Sequence, residues 1–456
     1  MECFRVYFNE IEKRIDPYYY RPKYKVFENK LAKIGIIPFG QIIKKISNGF
    51  DYRDFVDKGI PYLRVSNIKP FEFALNDVKK IDPPFEIKKD IKLKKGDLLL
   101  TRKGTYGVAL SLDKDYDYII SSEIFRIELV EGISPKLIEI ILNSSIGQTQ
   151  FNNYKVGGIM GSLSQDAIKC IKIPNLPTDV QNNIIALMDN AYNLKKSKEI
   201  EARRLLDSID DYVLSEIGIK IPELRDTMYY TVNSSDIRGN RYDPYYYQPK
   251  FKQLERAIEN GKYPPIKIKD LLEYYEKGTE VGSDAYVEEG IPFIRVADID
   301  DNKIDYNGTE KKIKLELFNT LKEYQPQKGE LLYSKDGSIG FCCIVQYDKE
   351  SVISGGILRL KIKDNLNKFY IKTILSSGIF KTIANLGSIG SIIKHLTPEV
   401  FLDLKIPSPP LEIQNKIAEE IKKRVCEAEK LQKDATEKFE KAKELVETLI
   451  LNPPIS

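Results

Sequence analysis

Apolar positions along this chain fall into three rhythms, and the same three occur in the same order twice. The first is short and helical. Tyr24, Phe27 and Leu31 stand three and four residues apart behind Pro22, and Phe251, Leu254 and Ile258 do the same behind Pro249. Proline suits a first helical turn, where a missing N–H costs nothing. The second rhythm is a set of short runs, "PYLRV", "DLLLT", "GVALSL" and "IFRIEL", divided by Gly, Asp, Asn and Pro. These predict strands, as do "PFIRV", "ELLYS", "GFCCIV" and "ILRLKI" further on. Helical segments "PKLIEIILNSSIGQTQFN" and "NKFYIKTILSSGIFKTIAN" follow the two sets.

The third rhythm is a long helix entered through Pro174–Pro177 in one half and Pro407–Pro410 in the other. Val180, Ile184, Leu187, Ala191 and Leu194 alternate spacings of four and three. Leu205 and Tyr212 continue that frame past polar breaks at Lys198 and Glu201. Ile421, Ala428, Leu431, Ala435, Ala442, Leu445 and Leu449 keep a similar frame, with Lys and Glu around them. A narrow apolar seam with charged flanks predicts two helices of about 40 residues, roughly 60 Å each, paired as an antiparallel coiled coil.

The matched segments establish a duplication. "DPYYYRPKY" (16–24) returns as "DPYYYQPKF" (243–251), and "GIPYLRVSNI" (59–68) as "GIPFIRVADI" (290–299). "KKGDLLLTRKGTYG" (94–107) matches "QKGELLYSKDGSIG" (327–340), and "IKIPNLPTDVQNNI" (171–184) matches "LKIPSPPLEIQNKI" (404–417), both at an offset of 233 residues. A period this long means two domains, not a solenoid. The expected fold is α+β: two homologous strand-rich α/β domains, separated by a pair of long antiparallel helices forming a coiled coil, with pseudo-twofold symmetry. The boundaries read as a first domain over 1–176, a helix over 177–218, a linker over 219–241, a second domain over 242–409 and a second helix over 410–452.

Composition narrows the chemistry. The 456 residues include 71 Lys and Arg against 67 Asp and Glu, a net charge of +4. A basic surface would therefore have to come from the distribution of cations, not from an excess. Cys3, Cys170, Cys342, Cys343 and Cys426 form no C-x-x-C, and His395 is the one histidine. That argues against a disulfide framework, a metal centre or a histidine-activated nucleophile. No apolar run approaches a membrane span, and "MECFRVYFNEIEKR" lacks a signal peptide's apolar core, so a cytoplasmic protein is expected.

The ordered set, present twice, resembles the specificity subunit of a type I restriction-modification system. The resemblance runs over essentially the whole chain and rests on "GIPYLRVSNI", "KKGDLLLTRKGTYG" and "GSLSQDAIKCIKIPNLPTDVQNNI" with their partners in the second half. It implies two target-recognition domains, each reading half of an asymmetric bipartite DNA target. It implies that the helices act as a spacer ruler and as a docking platform for two methyltransferase (modification) subunits, which restriction (translocase-nuclease) subunits join. It implies no catalytic residue, no metal and no cofactor in this chain, with S-adenosylmethionine on the methyltransferase partner. Double-stranded DNA is the expected ligand, and no membrane is involved.

Positions that the halves share suit scaffold or phosphate contacts, and positions that differ suit base reading. Arg64 and Arg295 are shared; each either contacts phosphate or closes an internal salt bridge with a partner such as Asp97 or Glu330. Arg102, Lys103, Thr105 and Tyr106 differ from Lys335, Asp336, Ser338 and Ile339. Arg suits a guanine edge and Asp can accept from cytosine; the plain alternative is a solvated hairpin. Lys155 and Ser162 lie in one Gly/Ser-rich loop, and Ser388, Ser391, Lys394 and His395 in its counterpart; both suit phosphate oxygens or simple helix-to-strand turns. Lys44, Lys45, Asn48, Tyr52 and Arg53 precede "GIP" in the first half, where the second half is acidic. The paired tyrosine strings read as anchors at each domain's start, not as readers, because the two copies are nearly identical. "NPPIS" (452–456) lacks the aromatic residue that would stack a flipped adenine, and a helix-ending proline pair explains it. Two alternatives to the DNA-reading subunit remain. One is a coiled-coil scaffold, and the other is part of a fused restriction-methylation enzyme.

Overall fold

The computed structural model describes residues 6, 20–83, 92–155, 161–224, 229–237, 242, 244, 246–389 and 394–453. The chain divides into two compact units, residues 1–200 with 431–456, and residues 201–430. The division crosses both long helices, α1 (Thr178–Ile217) and α2 (Leu411–Leu451), so each helix gives one part to each unit.

In the first unit a four-stranded antiparallel sheet is formed by β1 (Ile43–Asn48), β2 (Leu98–Thr101), β3 (Ala109–Ser111) and β4 (Ile124–Leu129), in the order β1-β4-β2-β3. Both faces are covered. Leu98, Leu100, Phe125 and Ile127 join a core with the helices Pro135–Asn143 and Ser145–Tyr154. Leu99, Leu110 and Ile124 pack on the other side with Leu63, Ile68 and Leu93. This is why "LLLT" shows no alternation: a strand buried on both faces reads as a continuous apolar run.

The second unit repeats the design with β5 (Leu272–Lys277), β6 (Leu331–Ser334), β7 (Cys342–Ile344) and β8 (Ile357–Ile362), in the order β5-β8-β6-β7. In each unit a "GIP" strand adds a parallel pairing, Ile60–Leu63 with Ile119–Ile120 and Ile291–Ile294 with Val352–Ile353. The entry and exit of each domain also pair, Ile36–Pro38 with Lys172–Pro174 and Pro265–Lys267 with Lys405–Pro407.

The "KKGD" and "QKGE" motifs acquire a structural role. Gly96 and Gly329 adopt φ of 87°, which lets the chain turn sharply. The acid that follows closes the turn: Asp97 accepts from the Lys94 N–H at 2.6 Å, and Glu330 from the Gln327 N–H at 2.8 Å. Each acid then receives an arginine from the next strand. Arg126 Nε lies 2.7 Å from Asp97, and Arg359 Nε lies 3.4 Å from Glu330.

Each predicted helical segment after the strands is two helices. Ser144 and Ser377 break them, each donating its hydroxyl to a carbonyl of the preceding turn and accepting an N–H from the next helix. The helical starts lie at Pro22–Ala32 and Pro249–Glu259. Of the tyrosine strings, residues 16–19, 243 and 245 fall outside the described residues. Tyr247 is buried and the Tyr246 ring packs 4.9 Å from Phe251.

Within the first unit α1 and α2 meet through Lys198–Asp434 at 2.8 Å and Tyr192 against Phe439. Within the second they meet through Arg424 to the Ser208 hydroxyl at 2.9 Å and Lys416–Glu216 at 3.1 Å. One partner's number rises as the other's falls, which is antiparallel pairing. The seam departs from the expected heptads at the outer turns. Leu194 and Leu445 are 41% and 49% exposed, and the buried positions are Val180, Ile184 and Met188 on α1 and Ala442, Val446 and Ile450 on α2. These outer turns enter the first domain's core and follow a plain four-residue step against a globular surface. Ala202, Ala428 and Ala435 are the small buried residues between.

Candidate nucleic-acid interface

The C-terminal ends of β1 and β2 and the start of β4 lie side by side, with Asn48 opposite Phe125 and Thr101 opposite Ile124. Past Thr101 the chain turns back: the Thr101 N–H donates to the Val108 carbonyl and its hydroxyl accepts from the Val108 N–H, both at 2.9 Å. Gly104 and Gly107, at φ of 71° and 84°, make the turn possible. Ser334 does the same work in the second domain, its N–H donating to the Phe341 carbonyl at 2.9 Å and its hydroxyl accepting from the Phe341 N–H at 2.8 Å.

The structure brings the candidate loops together. The Leu163 N–H donates to the Arg102 carbonyl at 2.8 Å, and Lys103 faces Ser162 across an isolated antiparallel bridge. In the second domain the Leu396 N–H donates to the Lys335 carbonyl at 2.8 Å, and Asp336 faces His395 across the same kind of bridge. The third region joins at Asn48, whose Oδ1 accepts from Gln165 Nε2 at 3.3 Å. One rim of the first domain thus gathers all three. Gln165 and Ser122, which donates to Asp51 at 2.6 Å, also sit there and were not anticipated. Comparing "SSE" (121–123) with "SGG" (354–356) would have pointed to Ser122.

The individual side chains differ in availability. Lys103, Thr105 and Ser338 are exposed. Arg102 is half-buried with its guanidinium 5.1 Å from the Phe125 ring centroid. The Tyr106 hydroxyl donates to Asn152 at 2.9 Å, and the Lys155 ammonium lies 5.8 Å from the Tyr106 ring. Lys335 is buried, with its ammonium 2.6 Å from Asp336, so it serves its neighbour and faces no solvent. Nδ1 of His395 lies 3.0 Å from Asp336 Oδ1. Ser388 is buried and spends its hydroxyl on the Asn385 carbonyl at 2.6 Å, so it ends a helix and does not face outward. Lys394 is half-buried, 3.5 Å from Asn385 Oδ1. Ser391 lies outside the described residues.

Lys44 and Lys45 stand on β1 itself, not in the loop after it, and both are exposed. Arg53 is exposed, and the Tyr52 hydroxyl reaches the Asp82 carbonyl at 3.3 Å. Arg64 and Arg295 do form internal ion pairs, but not with Asp97 or Glu330. Arg64 meets Asp77 at 2.8 Å, and its hydrogen bond holds that carboxyl below the usual range. Arg295 meets Asp298 and Glu310, each at 3.5 Å. The cause is the sheet order: β4 lies between β1 and β2 and carries Arg126 to Asp97, so that acid is already paired. Among the described residues no group of three or more His, Cys, Asp or Glu is placed to hold a metal ion, and no helix is long and apolar enough to cross a membrane.

Fold and rims together define a duplicated architecture, with one backbone frame used twice and different side chains at its tip. Residues 260–436 match the family model of the type I restriction modification DNA specificity domain, and the first half repeats that architecture. Residues 260–436 thus carry a DNA specificity domain of the type I restriction-modification kind. The chain's fold is similar to a chain from a type I R-M system solved in work on complex assembly and conformational transition, at 15% identity and a TM-score of 0.50, over 92% of this chain and 96% of that one. The type I S subunit from M. genitalium matches at 12% identity with a TM-score of 0.43, over 92% and 96% of the two chains. The HsdS subunit from Thermoanaerobacter tengcongensis matches at 15% with a TM-score of 0.38, over 92% and 97%.

Proposed function

We propose that each domain reads one half of an asymmetric bipartite DNA target, and that the chain does so without catalysis of its own. The observation that carries this reading is the shared rim frame with unlike side chains, Lys103 and Ser162 in one domain and Asp336 and His395 in the other. Two such readers in one chain make the second contact effectively intramolecular. In this reading the two long helices set the spacer between half-sites and receive two methyltransferase subunits, which carry S-adenosylmethionine, and restriction subunits join that core in the cytoplasm. Half-sites read from one face of B-DNA would lie about 34–36 Å apart, one helical turn.

Methylome sequencing of the host with this gene intact and deleted tests the reading. The expected result is a bipartite methylated motif that vanishes on deletion. An unchanged methylome would refute it, as would methyl transfer by the purified chain alone.

A further inference from the structure

The two rims allow a sharper assignment, which rests on the DNA-reading function just proposed. Lys103 and Asp336 are 233 residues apart, and so are Ser162 and His395. The pairs are therefore equivalent in sequence, and each forms the same cross-loop bridge. Their frame is the same to 0.1 Å in the adjoining hydrogen bond, 2.8 Å in both domains. What changes is the chemistry at the tip.

In the first domain the tip offers donors. Lys103 is exposed and its ammonium has three donors and no acceptor; Ser162 adds a hydroxyl. Lys103 does not meet an acid within ion-pair distance among the described residues. In the second domain Asp336 is held on one side by Lys335 and faces His395 Nδ1 on the other. The two are not aligned for a hydrogen bond, but in the neutral ring a carboxylate this close to Nδ1 favours the proton on that side, and Nε2 then stands on the far side as an acceptor. The His395 side chain is 53% exposed, so that acceptor stands at the surface.

We propose that this cross-loop pair determines specificity at one base of each half-site. Lys103 with Ser162 selects guanine, whose O6 and N7 both accept in the major groove. His395 selects a base that presents an exocyclic amine, adenine through N6 or cytosine through N4. Asp336 is a positioning residue that sets the imidazole's tautomer and does not touch the base. Lys335, buried beneath it, balances the carboxylate's charge.

The test is selection from a library of random-sequence duplexes by the full chain, alone and with its methyltransferase partner. Three variants are compared with the wild type. H395K turns the exposed tip from acceptor to donor and leaves Lys335 and Asp336 in the sequence. K103D with S162H installs the second domain's pair in the first. D336N keeps the shape and removes the charge that orients His395. The wild type should select a bipartite motif. H395K should change one position of one half from an amine-bearing base to guanine and leave the other half alone. K103D with S162H should change one position in the other half from guanine to an amine-bearing base. Discrimination at each position should be about 5- to 150-fold. D336N should weaken that discrimination while leaving affinity for non-preferred duplexes as it was.

Unchanged base preference in both H395K and the double variant would overturn the assignment. So would a loss spread evenly over all sequences with a lower salt slope, which places Lys103 on a phosphate. A D336N chain with lowered stability and an intact base preference would overturn the positioning role. A wild type that selects no motif in either condition would instead refute the DNA-reading function itself.

Discussion

Replacing Asp97 with Asn should damage the first domain far more than its small change in volume suggests. The Asp97 side chain is 5% exposed and that of Arg126 is 12% exposed. Without the carboxylate, the one acid that Arg126 keeps among the described residues is Glu128, 3.6 Å away and 30% exposed. Removing one member of a buried pair costs about 3–5 kcal/mol, because the other charge stays desolvated. The asparagine oxygen can still accept from the Lys94 N–H, which puts the loss near the lower end, about 3 kcal/mol. A chain with two units need not unfold in one step, so hydrogen exchange by peptide is the right measure. Such a loss speeds the slowest amides of 98–129 about a hundredfold, at 1.4 kcal/mol per factor of ten. Peptides from 331–362 serve as the internal control. Glu330→Gln should be milder, since Arg359 also binds Glu276 at 2.6 Å and the carbonyls of Glu323 and Gln325 at 2.7 and 2.6 Å. Wild-type exchange across β2 and β4 in Asp97→Asn would refute the argument, since it would mean that Arg126 is well solvated.

Three further outcomes are expected. Gly107→Ala should cost about 1–3 kcal/mol, because Gly107 has φ of 84° and a Cβ would lie 2.7 Å from the Phe151 ring. Gly104→Ala, with open space around it, should cost less, and denaturant midpoints compare the two. Glu139 is fully buried, and desolvation raises its carboxyl above the ordinary 4.5 although Lys136 and Ser111 pull it back. The folded state therefore holds this proton more tightly than the unfolded state, so Glu139's penalty is absent in acid and grows as pH rises from about 4.5 through the raised value. Glu139→Gln removes it, so the melting temperature of the variant relative to wild type should rise between pH 4.5 and pH 7.5; a pH-independent difference would contradict this. Lengthening both α1 and α2 by one turn, about 5.4 Å, should add one or two base pairs to the spacer in the methylated motif and leave the half-sites alone. Altered half-sites with an unchanged spacer would count against the ruler.

The duplication made much of this molecule legible without coordinates. The aligned motifs identified Lys103 with Asp336, whereas Ser162 and His395 stood only in counterpart loops until the cross-loop bridges paired them. The strand segments were equally plain, since "DLLLT" and "IFRIEL" are apolar runs of strand length between turn residues. Two of the misread features depend on pairing across the chain. Arg64 precedes Asp97 in sequence by one motif, yet β4 intervenes and delivers Arg126 to that acid. A non-sequential strand order cannot be read from periodicity. The heptad frame failed at Leu194 and Leu445 for a related reason: a helix that leaves its partner for a globular core changes from a seam to a face, and Met188 and Val446 are buried instead.

The same comparison separates folding from function in this chain. Gly96 and Gly329, Asp97 and Glu330, Thr101 and Ser334 keep their geometry in both domains because turn, ion pair and strand end require it. Lys103 and Asp336 share a backbone and almost nothing else. A position where one frame accepts either a cation or a carboxylate is not constrained by the fold, so its identity is free to store information about a ligand. That freedom is what makes the cross-loop tip, and not the tyrosine strings or the paired arginines, the place to look for the target sequence.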